Sequence, residues 1–80
     1  MISRSNRAEV RNPVLALPSA KRIADVSPEA RQLLAELLGD IAKISASNAQ
    51  KCWRIHKAPM ALYWKVVGVW ARHLRLAVRP

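Results

Sequence analysis

The fold is decided by residues 27–57, SPEARQLLAELLGDIAKISASNAQKCWRIHK. Ser27 is a favourable N-cap, Pro28 suits the first helical position, and Glu29 complements the positive end of the helix dipole. Apolar residues then recur every three or four positions, which is typical of an amphipathic helix. The stretch therefore predicts one helix over residues 28–57, about 45 Å long at 1.5 Å per residue.

The predicted helix has an apolar stripe opposite a polar face. We expect this stripe to pack against the rest of the protein because it gathers most of the large apolar side chains. Its members are Ala30, Leu34, Leu37, Leu38, Ile41, Ile44, Cys52 and Ile55. Gly39 and residues 45–48 are the two places where the helix could bend or split.

Pro59 predicts a turn at residues 57–59, followed by a last helix over 59–78. The main apolar arc of this helix carries Met60, Tyr63, Trp64, Val66, Val67, Trp70, Ala71, Leu74 and Val78. A second, narrow apolar row holds Leu62, Val69 and Leu76. A helix that is apolar on two sides needs two neighbours. One is the long helix, and the other is either residues 14–26 or a second copy of the protein.

The residues before the long helix carry weaker signals. Residues 1–12 are polar and basic without periodicity, which predicts a flexible arm. Residues 13–18 are apolar between two prolines and suit an extended segment, and Ser19 could cap a short helix reaching residue 26. The sequence thus predicts an all-α fold with a flexible arm over 1–12 and one helical domain over 13–80. In that domain an extended or short-helical N-terminal segment packs on two long antiparallel helices.

Length and composition limit the class of protein. Eighty residues form one domain, and Cys52 is alone, so the chain has no internal disulfide and a reducing compartment such as the cytoplasm is expected. The N-terminus lacks the apolar core of a secretory signal, and the longest apolar run, residues 66–71, is too short to span a bilayer.

Charge is unevenly distributed along the chain. The net charge is +9; residues 1–42 hold six basic and five acidic side chains, whereas residues 43–80 hold eight basic ones and no acid. Such an excess favours a polyanionic partner or an acidic protein surface.

Enzymatic chemistry is not expected. The acidic residues Glu29, Glu36 and Asp40 lie along the polar face of one helix, so no two of them converge on a cleft as acid–base catalysis requires. We therefore predict no catalytic residues.

Metal and phosphate sites are also not expected. Cys52 and His56 are four residues apart and could meet on a helix, but His73 is the only further strong ligand, so a tetrahedral zinc site is incomplete. With Gly39 and Gly68 as the only glycines, the chain has no glycine-rich phosphate loop. We predict that Cys52 is a small buried apolar residue and that the protein has no cofactor.

The aromatic side chains fall into two groups. Tyr63, Trp64 and Trp70 lie on the apolar arc, which predicts core packing, although interleaved aromatic and basic residues also suit base stacking. Trp53 borders the polar face next to Arg54. It is either a partly buried boundary residue or an exposed anchor for an interface.

Two modes of nucleic-acid binding are possible. A break near Ser45 would make residues 47–57 the recognition helix of a helix-turn-helix, but the apolar phase is unbroken and the expected glycine turn is missing. A basic patch could also contact phosphates without reading sequence, and its affinity would then fall steeply with salt.

Two segments resemble those of known proteins. RNPVLALP, residues 11–18, and HKAPMALYWK, residues 56–65, are similar to stretches of short basic proteins encoded by bacterial phages, prophages and gene-transfer elements, and together cover about a quarter of the chain. Small stand-alone proteins of that setting include anti-CRISPR inhibitors of type I surveillance complexes, which this chain resembles in size. That class shares no common motif, so no functional residue carries over.

The resemblance implies an inhibitor that binds a type I CRISPR surveillance complex and blocks engagement of target DNA. At +9 the chain is no acidic DNA mimic, so it would dock on an acidic protein patch or on the guide RNA or target DNA, as a monomer or weak homodimer. The alternative is a direct DNA- or RNA-binding protein. The acid-free half predicts the contact residues Lys51, Trp53, Arg54, Lys57, Lys65, Arg72, Arg75 and Arg79.

Overall fold

The computed structural model describes residues 8–80, with side chains from residue 10 onward. A short helix α1 (Ala8–Arg11) precedes two 3₁₀ helices, Pro13–Ala16 and Pro18–Asp25. Two long helices, α2 (Pro28–Arg54) and α3 (Ala58–Val78), follow. The part of the chain that the structure describes contains no strand, so the predicted all-α fold is confirmed.

The start of α2 is the predicted one. The Ser27 hydroxyl accepts a hydrogen bond from the Ala30 amide at 3.2 Å, Pro28 occupies the first turn, and Glu29 lies beside it. The helix continues through Gly39 and residues 45–48 without a break. The helix-turn-helix alternative, which required a break near Ser45, is therefore wrong.

The end of α2 comes three residues earlier than predicted. His56 has a φ of 63°, in the left-handed region, so the helix stops at Arg54. The Lys57 amide then bonds the Cys52 carbonyl at 2.8 Å, and the His56 amide bonds the Trp53 carbonyl at 3.1 Å. These two bonds form the Schellman motif that satisfies the last carbonyls of a helix. The turn thus occupies 55–57, not 57–59.

The two long helices are antiparallel, as predicted. The Arg31 guanidinium, near the start of α2, donates hydrogen bonds to the Val78 carbonyl at 2.8 Å and the Arg79 carbonyl at 2.9 Å. Because the last carbonyls of a helix lack partners within it, Arg31 satisfies them and ties the open end of the hairpin.

The helices meet through small side chains, which we call the small-residue interface. A Cβ atom built on Gly68 would lie 3.3 Å from the Cβ of Ser45, so the two backbones are very close there. Ser45 is fully buried. On both helices the contacting residues follow the alternate spacing of three and four that keeps one seam on a helix. The small ones are Ala35, Ala42, Ser45 and Ala49 on α2, and Ala61, Gly68 and Ala71 on α3; the larger Leu38, Cys52, Trp64 and Val67 are half-buried.

The packing face of α2 was predicted only in part: of the predicted stripe, Leu38 and Cys52 are half-buried. Large members of the predicted stripe, among them Leu37 and Ile44, are about half exposed. The helices are rotated so that alanine, serine and glycine face each other, because small side chains let two backbones approach and make dense contacts. The core prediction for Tyr63 and Trp70 is wrong for the same reason: both are exposed, and Trp64 is half-buried.

The N-terminal segment, residues 8–25, is anchored through Asn12. The Asn12 side chain donates to the His73 carbonyl at 2.8 Å and accepts from the Val14 amide at 3.1 Å. Val14 is 3% exposed. Residues 13–16 therefore form a capped 3₁₀ turn where an extended stretch was expected, and a 3₁₀ helix replaces the short helix predicted after Ser19.

The extent of the segment also differs from expectation. Of the predicted flexible arm, residues 1–7 lie outside the described residues, residues 8–11 are helical and Asn12 is buried. Within the described residues the two 3₁₀ helices contact α3 and not α2. The second apolar row, Leu62, Val69 and Leu76, stays 39–62% exposed, so the segment does not bury it.

Candidate binding face

The described residues together form a thin plate, 43 × 39 × 17 Å, in which the hairpin has two broad faces. Each residue turns the helix by about 100°, so the residues before and after an interface position lie on opposite sides of it. In an antiparallel pair, the residues that follow interface positions share one face on both helices. Ala42 and Ala71 illustrate the rule: Lys43 and Arg72 fall on one face, and Ile41 and Trp70 on the other.

A groove of about 540 Å³ opens on the first face near the hairpin turn. Its floor is made of small side chains, Ala49, Ala58 and Ala61, because the helices are in close contact there. Longer side chains form the walls: Gln50, Trp53 and Arg54 from α2, and Leu62 and Lys65 from α3. A second groove continues past Gly68 toward Arg72. The two grooves adjoin, because Ala49, Gln50 and Lys65 line both.

Trp53 is the main apolar wall of the groove. It is 68% exposed, although tryptophan is mostly buried in folded proteins. The structure thus favours the exposed alternative over a partly buried boundary residue. An exposed indole in a groove that Arg54 and Lys65 also line offers an aromatic stacking surface near positive charge.

The basic residues of this face, which we call the basic face, are all exposed. They are Lys43, Arg54, Lys65, Arg72 and Arg75. Arg54, Lys65 and Arg72 line the grooves, and the side chain of Arg75 lies against Gly39. Lys43 was missing from the predicted contact set. Knowing that Ala42 faces α3 would have been enough to place it here.

The remaining predicted contact residues lie elsewhere. Lys57 is in the turn, and Arg79 follows the end of α3. Lys51 comes two residues after Ala49, about 200° around α2, so it points away from α3. All three are exposed. The structure therefore brings together part of the predicted set and leaves Lys51 off the face.

Charge varies along the basic face. Glu36 comes three residues before Gly39 and Asp40 directly after it, and Arg75 lies against Gly39, so acidic groups accompany the basic ones at the open end of the hairpin. Toward the turn, Arg54 and Lys65 have no acidic residue within one helical turn, whereas Lys43 lies three residues after Asp40 on α2. The positive charge is therefore least compensated around the groove.

Metal-ligand geometry is absent from residues 8–80. No group of three His, Cys, Asp or Glu side chains comes together there. Cys52 is half-buried, and His56 lies exposed in the turn. In the same residues no helix is long and apolar enough to cross a membrane.

Comparisons with protein-family models, with curated proteins and with solved structures give no match to this chain.

Proposed function

We propose that the protein acts by binding, not by catalysis, and that the groove around Trp53 with its basic rim is the contact site. The observation that carries this proposal is the exposed indole of Trp53 in a groove that Arg54 and Lys65 also line. Tryptophan and arginine are the residues that most often dominate binding energy when they are placed centrally in an interface. Lys43 and Arg72 extend the positive charge along the same face.

The partner of this site is an acidic protein surface or the nucleic acid of a larger complex. With the resemblance to phage and prophage proteins, we propose the finer function of an anti-CRISPR-type inhibitor that docks on a type I surveillance complex and blocks target DNA. A positive face complements acidic patches and exposed phosphates, and such complementarity raises the association rate and fixes orientation.

The test is target-DNA binding by a purified type I complex in the presence of the protein. Replacing Arg54 and Lys65 by Glu reverses charge on both walls of the groove, and we expect inhibition to weaken at least about tenfold. The matched control, Lys21→Glu with Lys51→Glu, changes two exposed residues away from the groove. Each pair lowers the net charge from +9 by four, to +5.

Equal losses of inhibition in the two pairs would show that net charge matters and the groove does not. No inhibition by the wild-type protein would contradict the finer function and leave the groove to be tested with other partners.

A second candidate function, direct binding of single-stranded nucleic acid, is favoured by the same indole. A channel with an aromatic wall and a basic rim suits a base stacked on the ring and phosphates held beside it. Fluorescence anisotropy of labelled DNA and RNA across a salt series separates the candidates. If four basic residues contact phosphates, the log–log slope of affinity against salt is about −3 for a single strand.

Tight, salt-dependent binding by the isolated protein, lost in Trp53→Ala, supports the second candidate. Inhibition of the complex without such binding supports the first.

A further inference from the structure

The face opposite the grooves, which we call the apolar face, collects the large side chains that the small-residue interface leaves outside. Along each helix, a member of this face either comes directly before a residue of the small-residue interface or lies beside such a member on the helix surface. They are Leu34, Leu37, Ile41 and Ile44 on α2, and Tyr63, Val66, Val67, Trp70 and Leu74 on α3. Seven of them, all except Val67 and Leu74, are 42–57% exposed.

The apolar face is large for a protein of this size. A large apolar side chain has on the order of 200 Å² of surface, so seven half-exposed ones leave about 700 Å² uncovered. The largest apolar patch on a typical monomer is about 300–600 Å². A standard protein–protein interface buries about 800 Å² on each partner. The area therefore matches one side of a stable interface.

The interior of the single chain is correspondingly small. Its buried hydrophobic side chains within the described residues are Val14, Ala35, Ala61 and Ala71. Three alanines and one valine bury little apolar surface, and a chain of 80 residues depends on efficient burial for stability. The apolar surface that the single chain leaves unburied lies on the apolar face.

A second copy of the chain suits an uncharged face of this area. Within the described helices, none of the nine residues of the apolar face is charged, although the chain carries a net charge of +9. Two copies can therefore meet apolar face to apolar face without bringing like charges together. The N-terminal segment leaves the α2 half of this face open, because it contacts α3 and not α2, and Leu34, Leu37, Ile41 and Ile44 stay exposed.

We infer that the protein is a homodimer in which two hairpins pack through their apolar faces as a four-helix bundle. Such bundles bury the large residues between pairs of antiparallel helices, and a twofold axis needs only one self-complementary patch. The two basic faces then point outward on opposite sides of the dimer. Each groove remains accessible, so dimer formation and partner binding involve different residues.

Light scattering of the full-length protein during size exclusion tests the dimer. We expect a mass of twice 9.0 kDa for the wild type. Leu37→Glu with Ile41→Glu places four charges at the centre of the dimer, two from each copy, and should reduce the mass to that of one chain. The control, Leu62→Glu with Leu76→Glu, changes two similarly exposed apolar residues on the other side of α3 and should leave the dimer intact.

A second measurement uses only the wild-type protein, so its result does not depend on whether a variant folds. Because dissociation accompanies unfolding of a dimer, a hundredfold increase in protein concentration should raise the Tm by about 5–10 °C. A single-chain mass with a Tm independent of concentration would overturn the inference. The inference would also be overturned if the Leu37→Glu, Ile41→Glu variant stays folded and dimeric. The same holds if the Leu62→Glu, Leu76→Glu control dissociates into single chains.

Discussion

The two glycines of the hairpin provide the sharpest test of the small-residue interface. Both lie inside helices, where replacing glycine by alanine stabilises by about 0.5–1 kcal/mol through the backbone alone. Their surroundings differ. A Cβ at Gly39 would meet the Nε of Arg75 at 3.4 Å, whereas one at Gly68 would meet the Cβ of Ser45 at 3.3 Å.

The same substitution should therefore have different effects at the two positions. Arg75 is exposed and flexible, so its side chain can move away, and Gly39→Ala should gain most of the helix-propensity term. Ser45 Cβ is attached directly to the backbone, so Gly68→Ala requires the helices to separate. Overpacking of this kind costs about 1–3 kcal/mol. We expect Gly68→Ala to be less stable than Gly39→Ala by about that amount.

Urea denaturation followed by far-UV circular dichroism, at one protein concentration, measures the difference. Adding Ser45→Gly to Gly68→Ala removes the colliding Cβ, so the double variant should be about 1 kcal/mol more stable than the sum of the single changes. Equal stabilisation by Gly39→Ala and Gly68→Ala would refute the close contact between the helices.

Three further predictions concern single side chains. Asn12→Ala removes both anchoring hydrogen bonds and leaves the Val14 amide without an acceptor, so the free energy of unfolding should fall by about 1–3 kcal/mol. Amide exchange in residues 13–25 should become faster, and slower exchange would contradict the anchor. Ser45→Ala removes a buried hydroxyl without a hydrogen-bond partner, and thermal unfolding should show a gain of about 1 kcal/mol, not a loss. His56→Gly relieves a left-handed backbone conformation, so the chemical midpoint should rise by the equivalent of about 1 kcal/mol, and a fall would rule out the proposed helix end.

The candidate site could be predicted in part. The exposed basic residues of the second half are visible in the sequence, since acidic residues stop at Asp40. Their grouping is not visible, because it depends on which side of each helix faces the other. Once Ala42 is known to face α3, Lys43 is assigned to the basic face and Lys51 is not. The groove itself forms between side chains from two helices and has no signal in either one alone.

The sequence by itself determined the helices, because their signals are local. The Ser27 cap, the proline that begins α2 and the apolar periodicity act within a few residues of where they occur. Only the tertiary structure decided which stripe of each helix is buried. Periodicity favours the stripe with the most large apolar residues, whereas close contact between backbones favours the stripe with the smallest residues. Around the axis of the helix, the two stripes are separated by well under 180°. The small residues became the interface; most of the large apolar residues were left on one face of the hairpin, and the basic residues on the other, together with Trp53 and Leu62.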